Sequence, residues 1–508
     1  MKTSILIRSI ILILCIAMFS SAFIACTDNG GETDTTTTNG GASNPDVTTD
    51  PVGEEVYPSP IPGNVNFNDK QFKILYWDDV EHQEFFYEDQ TGDAVGDAII
   101  ERNNAVESTL GVELLWEPQA GNANNNGEWN KRMEVINEDL ESQKFIGFAG
   151  YSLSVAAAAV NGYCYNLLND SASYFNFEDP TYWPERLLTQ ATFGDNLYFC
   201  SGDISANLLY MMYVCFVNTD LLEQHQLRNP QELVEDLNWT YNQFIKMCAN
   251  VWEDADDVEG KSDGDIFGYM SSGIHNDPWF YGTGAVIAEY DAEGKLAMSE
   301  SMKSNAVIDT YERIHSLFYN SNDAIYTVSV KHQKAFAEGR LLFMMDRCRV
   351  SFKVIASGNY DVNYAILPCP KYNAQQESYV TVVGNPFTLY GMFSKISEED
   401  AEFGSAVLEY YAYESYLKVT PAVFEISLKT RYVQDDISSR MYDIVRQNVT
   451  FDIGRIFSAN VLKSPAPGQE ILRAPFKSQQ YPSWTIVISS YETAINNNCE
   501  LVQDTLDP

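Results

Sequence analysis

Between residues 72 and 161 the chain alternates strand-like and helix-like segments, and this alternation limits the fold more than any other feature. Residues 72–77 (FKILYW), apolar except for Lys73, are of strand length. Residues 97–110 repeat apolar side chains at helical spacing and stop at Gly111, and 112–116 read as a strand. Residues 130–143 put Met133, Ile136 and Leu140 on one helical face; 145–150 are strand-like, and 154–161 make an alanine-rich helix. A β-α-β-α-β order joins parallel strands by crossovers that cover both faces of the sheet, so the class is α/β.

The pattern continues further along. Residues 214–218 read as another strand. Thr240 and Gln243 form a capping-box pattern, opening a helix whose apolar stripe is Tyr241, Phe244, Ile245, Cys248 and Trp252. Val307, Tyr311, Ile314 and Phe318 mark a second helix, residues 403–446 are mostly helical, and a last helix carries Trp484, Ile488, Tyr491 and Ile495 on one face. No repeat of 20–50 residues is visible.

Residues 335–371 are the most informative stretch. A helix over 333–338 ends at Gly339, and 341–345 form a buried strand. Asp346, Arg347 and Arg349 follow at a strand-to-helix turn, 350–356 read as the next helix, and 364–367 are a strand broken by Pro368 and Pro370. Charged groups just past the end of a buried strand are what an open α/β sheet presents to a ligand. Phe336, Gly339, Met344, Tyr364, Leu367 and Pro368 resemble a motif of the bacterial extracellular solute-binding proteins of ABC importers, family 1, the group that includes maltose-binding protein.

The resemblance implies a two-lobed, periplasmic-binding-protein-like (type II) fold with about three interlobe crossovers and a helical C-terminal region. Lobe one would be 64–205 plus 364–393, and lobe two 212–360 plus 397–508. It also implies a cleft lined by sugar contacts: Trp77, Asp78 and Asp79 after the first strand, Tyr151 and Ser152 after the third, and Asp203 and Ser205 at the first crossover. In lobe two it implies Asp277 and Trp279 of an acid-Pro-aromatic triplet, Asp346, Arg347 and Arg349, and Trp484 near the C-terminus. Aromatic faces and hydrogen-bonding polar groups are what a sugar needs. Each residue also has a plain structural reading. Trp77 and Trp484 fit as core, Asp277-Pro278 as a helix start, Asp203 beside Gly202 as a turn, and the arginines as partners of abundant carboxylates.

The N-terminus fits an extracytoplasmic receptor. Lys2 and Arg8 precede an apolar core too short to span a membrane, and Phe23-Ile24-Ala25-Cys26 resembles a lipoprotein cleavage box with Cys26 as the lipidated residue. Residues 1–25 are then a signal peptide, and 26–63 the lipidated cysteine with an acidic tether. Residues 27–63 hold seven acids and no Lys or Arg, a composition that cannot build a core and reaches roughly 30–35 Å as a coil. Losing Lys2 and Arg8 takes the net charge from −39 to −41, which argues against nucleic acid and against adsorption to anionic lipid. Seven cysteines follow Cys26 without CxxC or Cys/His spacing; reduced buried thiols are expected, with a bridge such as Cys200–Cys215 left open.

Catalytic motifs are missing: there is no HExxH, no GxSxG and no complete P-loop. The five histidines are scattered, and the seven acids of 253–265 lack an EF-hand register, so no metal and no cofactor are expected. The sequence reading is a monomeric, non-enzymatic, lipid-anchored receptor on the extracytoplasmic face of the cell membrane. It would deliver a small-molecule solute, of carbohydrate class, to ABC permease subunits. An extracellular carbohydrate-active enzyme such as a glycoside hydrolase, or a receptor for a non-sugar solute such as a peptide, stays open.

Overall fold

The computed structural model describes residues 57–90, 92–351, 362–429, 436–463 and 468–507. The signal peptide, Cys26, most of the tether and nearly all of the helix expected at 350–356 lie outside them. Pro58–Pro508 is one compact unit. Its packing starts before the expected boundary at residue 63: Ile61 is 4% exposed, and the Val65 amide donates to the Pro62 carbonyl.

Two sheets organise the unit. The first holds β1 (Lys70–Trp77), β2 (Val112–Gln119), β3 (Gly147–Tyr151) and β11 (Thr388–Met392), in the order β11-β3-β1-β2. β1 is parallel to β2 and β3, and β11 is antiparallel to β3. The second holds β4 (Tyr213–Asn218), β5 (Phe267–Ser271), β8 (Ala324–Tyr326), β9 (Leu341–Arg347) and β10 (Tyr364–Pro368), in the order β10-β4-β9-β5-β8. β4 is antiparallel to β9 and β10, while β5 is parallel to β8 and β9. β6 (Ala288–Tyr290) and β7 (Leu296–Met298) form a separate hairpin. The architecture is the expected two-lobed α/β fold, with one sheet per lobe.

Local chemistry accounts for the elements. The Ala94–Leu110 helix is capped by the Asp93 carboxylate on the Gly96 amide and ends at Gly111 in the left-handed region, φ 59°. The Tyr241–Cys248 helix is capped by Thr240 but stops at Ala249, which leaves Trp252 off the expected stripe. The single helix expected over 130–143 is two, Asn126–Glu138 and Leu140–Gln143, because Asp139 leaves helical geometry at φ −130°, ψ 48°. All seven cysteines after Cys26 are free and buried, Cys200 and Cys215 included. In the acidic loop, Asp265 turns inward and accepts from Trp252 Nε1, the Ala255 amide and the Ser262 amide.

Two expected segment assignments fail. Tyr364–Pro368, expected in lobe one, is paired to β4 in the second sheet: its apolar residues complete that sheet's edge. Only Thr388–Met392 of that segment joins the first sheet. The Glu398–Glu414 helix, expected in lobe two, packs on lobe one. Phe403 lies edge-on to Phe67 and Phe72, and Arg102 sits over the Tyr411 ring at 4.0 Å. The last helix, Trp484–Leu506, links both regions. Trp484 stacks on Tyr311 at its start, and the Leu506 carbonyl accepts from the Tyr198 hydroxyl at its end.

Candidate ligand-binding site

The polar groups gather where strands end. β1, β2 and β3 finish at Trp77, Gln119 and Tyr151, and Tyr151 lies opposite Thr388. In the second sheet β9 finishes at Arg347, in register with Tyr213 at the start of β4. Arg349, just past β9, is ion-paired with Glu81 from the loop after β1, so the strand ends of the two sheets face each other. Carboxyl ends of parallel strands are the ligand-binding edge of α/β sheets.

Arg347 is the most unusual residue here. It is only 6% exposed, yet among the described residues Nε finds no hydrogen-bond partner and lies 3.7 Å from Asp346 Oδ1. Nη1 reaches Met211 Sδ at 3.8 Å. Its stem runs over Gly384, where a Cβ would come within 2.8 Å of Arg347 Cδ, so the close approach requires glycine. A buried guanidinium with so few acceptors is costly, because its desolvation is not repaid.

The neighbouring charges are better matched. Asp277 is completely buried and accepts from Arg455 Nη1 at 2.9 Å, Arg473 Nε at 2.7 Å and Arg473 Nη2 at 2.8 Å. Burial pushes its carboxyl up, but Arg473 and Arg455 outweigh that and hold it below the usual range. Arg455 Nε also donates to the Val383 carbonyl, next to Gly384. Asp346 is equally buried. Against the upward push of burial, His275 and His332 hold its carboxyl well below the usual range. Burial raises the Tyr151 phenol to about 12, tempered by Arg455, Arg347 and Arg473.

Of the residues expected to touch sugar, Tyr151, Asp277, Asp346, Arg347 and Arg349 lie in this region. Ser152 is beside them, but its hydroxyl is committed to the Asn385 carbonyl at 2.7 Å. The others are engaged elsewhere. Trp77 is buried, with Nε1 on Thr388 Oγ1 and its ring 5.5 Å from Tyr151. Asp78 is exposed. Asp79 accepts from the Gly121 and Asn122 amides and from Asn125 Nδ2, tying β1 to the loop after β2. Asp203 is paired with Arg446, and burial lifts its carboxyl to about 6 even so. Ser205 caps a helix on the Leu208 amide and donates to Glu84.

Stacking roles for Trp279 and Trp484 do not fit. Trp279 is enclosed by Tyr241, Phe244 and Tyr269 at ring distances of 5.0, 5.1 and 5.7 Å, with Nε1 on the Tyr269 hydroxyl. Trp484 stacks on Tyr311 at 4.3 Å and donates to the Met302 carbonyl. Both indoles are spent on helix packing within the second lobe.

Sequence reading missed Glu81, Tyr213, His275, His332, Arg455 and Arg473. Arg455 carried one usable signal: it interrupts an apolar run, Ile453 to Phe457, in a chain with only 32 basic residues against 71 acids. A groove of about 1010 Å³, lined by Lys70, Lys73, Trp116, Phe145 and Lys395, lies at the opposite end of the first sheet from this site.

The chain matches no protein-family model and no curated protein. Solved structures do match. A sugar transporter of Rhizobium etli in an open conformation aligns at TM-score 0.54 and 12% identity, over 86% of this chain and 98% of its own. The chain has the fold of the two-lobed ABC solute-binding proteins. A cyclo/maltodextrin-binding protein complexed with maltotetraose aligns at TM-score 0.51 and 10% identity, over 86% of this chain and 97% of that one. An ABC substrate-binding protein of Listeria monocytogenes with cycloalternan gives 0.50 and 11%, over 84% and 98%. Among the described residues no helix is long and apolar enough to cross a membrane.

Proposed function

We propose that this chain is the extracytoplasmic, lipid-anchored receptor of an ABC importer, and that it closes two lobes around a sugar or oligosaccharide. The observation that carries the reading is Arg347, a buried guanidinium at a strand end between the lobes, short of hydrogen-bond acceptors. Sugar hydroxyls are acceptors of the right kind, and Tyr151 and Arg349 stand beside it as further contacts. The solved proteins that share the fold include two with oligosaccharides bound. Ligand contacts made only in the closed state shift the lobes toward closure, and the Glu81–Arg349 pair adds to the same state. Cys26 supplies the anchor and the acidic segment after it the reach.

The carboxylates at this edge speak against glycoside hydrolysis. That chemistry needs one carboxyl kept protonated as general acid. Asp277 and Asp346 are both held ionised by neighbouring cations or imidazoles, and Glu81 is tied to Arg349. The test is a thermal-shift screen of mono- and oligosaccharides, followed by calorimetry of any hit with wild type and Arg347→Ala. A saturating ligand at 100 times its Kd stabilises by about 2.7 kcal/mol. A hit whose affinity drops at least tenfold in the variant supports the reading; silence across the sugar panel, or hydrolysis of a glycan, defeats it.

A further inference from the structure

His275, His332 and Asp346 come from three separate segments and meet in the interior of the second lobe. His275 sits in the short Gly273–Asn276 turn after β5, His332 in the Lys331–Ala337 helix, and Asp346 near the end of β9. All three are buried, at 1%, 0% and 0% exposure. His275 Nδ1 lies 3.1 Å from Asp346 Oδ1, and His332 Nε2 lies 3.0 Å from Oδ2. One ligand atom from each residue falls within 4.8 Å of the other two. The imidazole centroids are 4.4 Å apart.

We propose that these three side chains bind a first-row divalent transition metal ion, with zinc the best match. The geometry supports it in three ways. First, ligands bonded to one ion at about 2.0–2.1 Å lie roughly 3.0–3.4 Å apart, and each carboxylate oxygen of Asp346 is about that far from one imidazole nitrogen, Oδ1 from His275 and Oδ2 from His332. Second, among the described residues neither ring nitrogen of His275 has a hydrogen-bond partner, although Nδ1 is within reach of Oδ1: the nitrogen is close but not aligned for a hydrogen bond. Donors that converge on a common ion show that combination, and a fully buried imidazole without a partner is otherwise expensive. Third, an outer layer orients the donors. The Arg347 amide and Gln333 Nε2 donate to the carboxylate at 2.7 Å each, and Ser272 Oγ is 3.5 Å from His332 Nδ1. Two imidazoles and one carboxylate suit zinc or its neighbours, whereas calcium and magnesium prefer oxygen donors only.

The ion would add a common anchor to three segments already joined by the Gln333 and His332 contacts to Asp346 and by the pairing of β5 with β9. Asp277 follows one ligand by two residues and Arg347 follows another directly, so the metal would set the floor on which both stand. The Arg347 guanidinium lies 3.7 Å from the ligand carboxylate and opposes a cation, so the site should bind less tightly than an all-thiolate one. The metal site is independent of which solute the cleft takes.

The test uses the mature chain, purified without a polyhistidine tag, stripped with a chelator and titrated with Zn²⁺ alone. Expected are one equivalent bound by calorimetry, a higher unfolding midpoint reversed by chelator, and visible d–d absorption on Co²⁺ substitution. His332→Ala and the milder His332→Gln should lose the equivalent. Asp256→Asn, which alters an exposed member of the separate Asp254, Asp256 and Asp265 group, should keep it. Absence of a stoichiometric ion from the stripped and reloaded wild type overturns the site, as does equal Zn²⁺ binding by the His332 variants. A Co²⁺ spectrum reads wild type directly, so misfolding of a variant does not blunt the result.

Discussion

Replacing Asp277 by Asn tests the account of this site most directly, because residue type alone suggests a ligand contact and burial says otherwise. The carboxylate is wholly enclosed and accepts three hydrogen bonds from two guanidiniums at 2.7–2.9 Å. Asn retains one acceptor oxygen, enough for one arginine, and turns an NH₂ donor toward the other. Removing one partner of a buried ion pair costs about 3–5 kcal/mol, since the opposite charge stays buried without compensation. Asp277→Asn should therefore lower stability by roughly 3–5 kcal/mol at neutral pH, read as a shift in the urea midpoint by tryptophan fluorescence. The acid side fixes the sign. The folded carboxyl is held below its ordinary value, so it adds stability that is fully present above the unfolded pKa, about 3.9, and is lost as pH falls through the folded value. The gap between wild type and variant should thus narrow on acidification below about pH 4. A neutral-pH loss under about 1 kcal/mol, or a gap that ignores acid, would refute the buried pair as the residue's role.

Trp279→Ala should cost about 3–5 kcal/mol of stability, measured by chemical denaturation, while the folded fraction binds solute within a few-fold of wild type, because the ring is enclosed by Tyr241, Phe244 and Tyr269. Glu81→Gln removes the ion pair to Arg349 across the strand ends; small-angle scattering should show a more open particle without ligand, and solute affinity should fall. Cys26→Ser should release the protein into the medium or leave it unprocessed, as fractionation and immunoblotting would show; a variant still processed and membrane-bound would sink the anchor.

The α/β class and most elements were legible because apolar periodicity is local: each of the strands over 72–77, 112–116, 214–218 and 341–345 appears within a few residues of its expected place. Sheet membership was not legible. Tyr364–Pro368 looks the same in sequence whether it pairs with β3 or β4, and only its long-range register decides. The Glu398–Glu414 helix is buried at every residue from Phe403 on, so no single apolar stripe says which lobe it covers. Neighbours along a strand behave alike for the same reason: Asp346 turns into the lobe toward two histidines, while Arg347 turns toward Met211 and Gly384.

That alternation explains why a motif can locate a site and still misassign its side chains. A strand-end motif fixes where the backbone arrives. Which of two adjacent charged residues meets a ligand depends on what lies behind the strand, and here that is supplied by His275 and His332, 71 and 14 residues away from Asp346 in sequence. With 71 acids against 32 basic residues, an arginine is readily paired with a carboxylate somewhere, and the sequence cannot say which one is not. Arg455 and Arg473 turn out to share Asp277, and Arg349 takes Glu81. Among the described residues Arg347 is left with one off-line oxygen and a thioether, in a chain where acceptors are abundant. In the function proposed for this chain, the acceptor that such a buried guanidinium calls for would arrive from outside, at the strand ends of both lobes.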